Sequence, residues 1–179
     1  MKPDFHQLMD TGELPSLGPE TRQGRKSIAE LDKMLATQFS GSKLDANKRN
    51  LIRAVVLLWH DHLDEAHEIA QQDNGHDGSL IHAIMHRREP DFGNAKYWYH
   101  RTGRHGVYPE FARRSAALPQ SEQERDLVLR FTPKDEWDPF AFVDAVQRSR
   151  IDAPETGPFL QRAQKMEFEA LLDYLKNIP

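Results

Sequence analysis

Between Ile52 and Ala70 the chain sets apolar side chains three and four residues apart, at Ile52, Val55, Val56, Trp59, Leu63, Ala66 and Ala70. Residues at that spacing lie on one face of a helix, because each turn takes about 3.6 residues. With Asp45 as a start signal, the pattern predicts one long helix over about 45–72. A rod of that length must be covered along its side, so it reads as the central element.

The rest of the chain keeps the same period. Ser27 and Glu30 match a capping box, in which each side chain satisfies a free amide at the other's position, and Ile28, Leu31, Leu35 and Phe39 follow on one face before Gly41. A short polar turn, 73–78, leads to a helix over 79–88 that Pro90 stops. Helices are also predicted from Asp91 to Gly103, from Tyr108 to Leu118 and after the Ser121 and Glu124 box. Two more follow, one after Asp138-Pro139 and one over about 156–176. LVLRF at 127–131 is the one candidate for a short extended piece. Residues 1–25 hold Pro3, Gly12, Pro15, Gly18, Pro19 and Gly24 with no apolar period, and read as an extended or partly disordered arm. The expectation is all-α: one helical domain over 26–179, six to seven helices, and a central antiparallel hairpin made by the 45–72 helix and its successor.

At 179 residues the chain can bury one core and is short for two. It has no cysteine, which excludes disulfides, thiolate nucleophiles and cysteine-bound metals, and fits a reducing compartment. The longest apolar run, Ala54 to Trp59, falls far short of the roughly 20 residues of a membrane span, and the polar first ten residues have no signal-peptide core. No membrane partner and a cytoplasmic address are expected. A net charge of −4 argues against nucleic acid as a partner.

Charge distribution says more than the sum. From Ala54 to His86 there is no Lys or Arg, while Asp61, Asp64, Glu65, Glu68, Asp73 and Asp77 are acidic. From Arg87 to Arg114 seven basic residues face three acidic ones. Eight of the nine histidines and two of the three tryptophans fall between Trp59 and His105, a density that packing alone does not require. A cation suits the first half of this stretch and an anion the second.

Helix geometry turns that density into a candidate site. His82 and His86 are four apart, Asp64 and His67 three apart, and a short turn puts His67 opposite His82 and Asp64 opposite His86. Three imidazoles and a carboxylate would suit a divalent zinc, iron, manganese or nickel ion. The ion would acidify a bound water or polarise a substrate oxygen, with Glu89 or His60 moving the proton. Arg87 and Arg88 would clamp an anionic small molecule, with Lys96, Trp98 and Tyr99 as further binding residues. The competing readings are a binding module without turnover, and a structural protein whose histidines and carboxylates only satisfy one another in the core. His62 reads as a core histidine, His60 and His76 as solvent-facing, and Asn94 as a helix cap. There is no H-E-x-x-H, no phosphate loop, no G-x-G-x-x-G after a strand and no G-x-S-x-G.

The blocks LLLWHDHLDEAHEIAQ and HAIMHRREPDFGNAKYWYHRTGRH, with the later WDPFAFVDAVQ, resemble a family of uncharacterised microbial proteins across most of the chain after residue 25. No activity, fold or ligand comes with the resemblance. It marks those blocks, rather than the ends, as the place to look.

Overall fold

The computed structural model describes residues 3–177, and among them every regular element is helical. There are nine α-helices, more than the six to seven expected: α1 Ile28–Phe39, α2 Ala46–Trp59, α3 Leu63–Ala70, α4 His76–Arg88, α5 Phe92–Thr102, α6 Tyr108–Ser115, α7 Glu122–Phe131, α8 Pro139–Ile151 and α9 Gly157–Asn177. LVLRF lies inside α7 and is not extended.

Local chemistry sets most of the boundaries. Glu30 N–H donates to Ser27 Oγ and Ser27 N–H to Glu30 Oε2, completing the predicted box at α1. Asp91 accepts from Asn94 N–H at α5, and Asp138 accepts from Phe140 and Ala141 N–H at α8, where Pro139 has no amide to lose. Each such cap contributes about 1 kcal/mol.

The expected 45–72 helix is broken, and the break has a physical cause. Asp61 takes a left-handed backbone conformation, φ 62°, which a side chain other than glycine adopts only against a steric cost. Its carboxylate is buried and accepts from Arg22 N–H at 3.0 Å, Arg22 Nε at 2.9 Å and Arg88 at 2.8 Å. Burial alone pushes this carboxyl up, but the hydrogen bonds from Arg22 and Arg88 outweigh it and hold it below the usual range. Arg88, wholly buried, also donates to the carbonyls of Leu58 and Gly18. Helix α4 therefore packs on two shorter helices, α2 and α3, in place of the one long rod that the apolar spacing predicts.

Helix α4 occupies the interior. Every residue from Gly78 to Arg88 is buried, although the segment carries two histidines and two arginines. It packs on α2, α3 and α5, while α9 closes the far side against α2, α6 and α8. The two arginines end α4, where the helix dipole favours a cation, and each meets a carboxylate: Arg88 meets Asp61, and Arg87 meets Glu167 of α9. Arg87 also donates to the Tyr99 hydroxyl at 2.9 Å and stands over the Phe142 ring.

The N-terminal arm contains one 3₁₀ turn, His6–Met9, and docks on this core through the buried Phe5, Leu8, Met9 and Leu17. Two histidines beside the α2–α3 break hold it. His60 Nδ1 accepts from Lys26 N–H, so its Nε2–H donates to the Leu8 carbonyl at 2.7 Å, and His62 Nε2–H donates to the Lys26 carbonyl at 2.9 Å. His60 is thus fully buried rather than solvent-facing.

Asp61→Asn leaves Arg22 and Arg88 without their countercharge, and should lower the unfolding free energy by about 3–5 kcal/mol in a urea titration. A change near zero would show that the pair does not fix the break. His60 gives a pH dependence. Burial depresses its pKa from 6.5 to about 4, so between those values the unfolded chain binds a proton that the folded one refuses. Its contribution is complete above pH 6.5 and declines as pH falls toward 4, by at most about 1.4 kcal/mol per pH unit. The urea midpoint should show that fall, and His60→Gln should flatten it.

Candidate metal centre

The α3–α4 packing brings three imidazoles together. One nitrogen from each of His67, His82 and His86 lies within 4.8 Å of the other two. The His67 ring centroid is 4.6 Å from that of His82 and 5.5 Å from that of His86, and the His82 and His86 rings are nearly parallel at 4.9 Å. The pairing of His82 and His86 follows from helical spacing, and His67 reaches both because α3 lies across that face of α4. His82 is 3% exposed and His86 7%, while His67 is half-buried and forms the solvent side.

Helix α5 supplies the back wall. Trp98 stacks on His82 with centroids 3.8 Å apart and planes inclined by 18°, and the Arg101 guanidinium stands 5.1 Å from the Trp98 ring centre. His86 Nδ1–H donates to Glu89 Oε2 at 3.0 Å. The Asn94 amide nitrogen lies 3.1 Å from His86 Nε2 and 3.4 Å from Nδ1. With Nδ1–H bonded to Glu89, the Asn94 amide donates to the Nε2 lone pair, a bond that an ion taking Nε2 would replace.

The two buried rings, His82 and His86, favour the neutral form. Burial, then the positive field of His67, His86 and Arg101, pushes His82 down to about 3. Burial also lowers His86, against the pull of the Glu89 carboxylate. A metal takes only the unprotonated nitrogen, so depressed pKa values keep the lone pairs available at neutral pH. His82 Nδ1 is buried with no hydrogen-bond partner, an arrangement that costs about 1–3 kcal/mol.

Several residues predicted for the site lie elsewhere. Asp64 is exposed in the first turn of α3 and does not join the three histidines. The late start of α3 leaves it on the rim of a cavity of about 400 Å³ that Glu65, Arg25 and Glu89 also line. Arg87 and Arg88 are wholly buried in ion pairs and present no guanidinium to a substrate. His60 holds the arm and has no free nitrogen with which to move a proton. Lys96 pairs with Asp144 of α8, and Tyr99 is a core residue bonded to Arg87, its hydroxyl pKa raised by burial. Trp98 and Glu89 do adjoin the cluster. His76 is exposed, as expected, with Nδ1 bonded to the Thr102 carbonyl. Asn94 caps nothing with its side chain, which covers His86 instead; its position one short turn beyond Pro90 was the available signal.

No family model, curated protein or solved structure matches the chain, so the geometry alone carries the functional reading.

If Trp98 supplies much of the burial of His82, Trp98→Ala should raise the His82 pKa from about 3 toward the ordinary 6.5. An NMR titration of the imidazole reads this directly. An unchanged value would assign the desolvation to α3 and α4 alone.

Proposed function

We propose that the protein is a small helical metalloenzyme in which His67, His82 and His86 hold a divalent transition-metal ion, and that it acts on a polar anionic small molecule. The observation that carries this reading is the convergence of one nitrogen from each of three imidazoles, in a cluster where the buried His82 Nδ1 has no partner in the protein. An ion bound through Nδ1 would supply the missing partner.

The donor set guides the choice of metal and substrate. With Asp64 outside it, only imidazole nitrogen remains, which favours zinc, nickel and iron(II) over manganese. Three neutral ligands leave the full double charge on the ion, so it attracts an anionic oxygen and strongly acidifies a bound water. Anion recognition then falls to the metal itself, because the two buried arginines are engaged in the core. The open side of the centre is the one next to half-buried His67.

A purely structural network is the second reading, favoured by the Trp98 stack on His82 and the Glu89 bond to His86. It gives His82 Nδ1 no partner.

Elemental analysis of tag-free protein after metal supplementation should find about one equivalent of bound metal. Zinc at about 100 times its dissociation constant should raise the melting midpoint by roughly 5–10 °C. His82→Ala should abolish both responses while the helical content stays near that of the parent. Trace metal only, with no thermal response to zinc, nickel, iron or manganese, would favour the structural network.

A further inference from the structure

We infer that Glu89 is the positioning residue of the metal centre, holding the His86 ring so that Nε2, and not Nδ1, is presented to the ion. The inference rests on the metal reading above, and it replaces the proton-moving role that the sequence suggests for this carboxylate.

A carboxylate can only accept in its bond to His86, so the proton of the neutral imidazole sits on Nδ1 and the lone pair on Nε2. The two nitrogens of an imidazole point away from each other. Glu89 therefore stands behind His86 as seen from the ion, too remote to exchange a proton with a metal-bound water. The cavity that Glu89 lines with Asp64 and Glu65 has none of the three histidines in its lining.

Glu89 is itself well fixed. It is the residue that ends α4, its N–H donates to the Met85 carbonyl, and the residue before it is Arg88, locked to Asp61. Among the described residues it has no other ion pair, so its charge is spent on His86. An outer carboxylate of this kind selects the tautomer, restrains the ring and makes the ligand nitrogen a better donor. In the metal-free protein the Asn94 amide donates to Nε2, the nitrogen that the ion would take.

Zinc affinity measured by chelator competition on the full chain tests this role. Glu89→Ala should weaken binding by about 10–100-fold, and Glu89→Gln, which keeps an acceptor without the charge, should recover part of the loss. Long-range proton–nitrogen NMR of the metal-free protein should find His86 protonated on Nδ1 in the parent and a tautomer mixture in Glu89→Ala. Unchanged zinc affinity in Glu89→Ala, or an Nε2-protonated His86 in the parent, overturns the assignment. If either variant fails to fold, the parent tautomer still decides. Failure of the parent to bind zinc is a separate outcome that removes the metal reading, and this role with it.

Discussion

A carboxylate taken out of water beside a buried guanidinium fixes the geometry on which this molecule depends. Asp61 holds Arg88 and Arg22 at the same time, in a backbone conformation that ends one helix and permits another to start two residues later. Without that interruption α2 would run on, and His67 would be carried along the line of the longer rod. With it, α3 turns across α4 and His67 meets His82 and His86. Arg88 and Glu89 are consecutive, so the anchor of the fold and the carboxylate bonded to His86 belong to one stretch of backbone. The same carboxylate, through Arg22, also ties down the arm.

Much of the fold was legible in the sequence because it is written in local chemistry. Ser27 with Glu30, Asp91, Asp138 with Pro139 and the stop at Pro90 mark helix ends by hydrogen bonds a few residues long. The break at Asp61 was not legible, since its partners are 39 and 27 residues away and nothing in the apolar spacing registers them. The helix predicted over 79–88 is present as α4, but its burial on every side was not legible, for a related reason. Beside Leu80, Ile81, Ala83, Ile84 and Met85 it buries imidazole and guanidinium, groups that an apolar stripe does not count.

Of the site, the histidine trio followed from spacing: four apart on α4, and at matching depth across a short turn. The expected fourth ligand, Asp64, lies outside the trio because α3 starts late, and the expected arginine clamp is buried. Sequence places a charged side chain on a helix face without saying whether the next helix covers it. Arg87 and Arg88 look like a surface pair, yet they are the inner ends of two salt bridges to α9 and to the α2–α3 break. What remains is a nitrogen-only cluster, walled by Trp98, whose His82 and His86 rings burial keeps neutral, on a framework whose charges are matched elsewhere.

Diffraction from crystals grown with zinc, recorded on both sides of the zinc absorption edge, tests the central claim most directly. The account predicts a single anomalous peak at about 2.0–2.1 Å from one nitrogen of each of His67, His82 and His86, with His86 bound through Nε2. Zinc found only elsewhere on the chain, or three rings bonded solely to protein atoms with no peak between them, would contradict it.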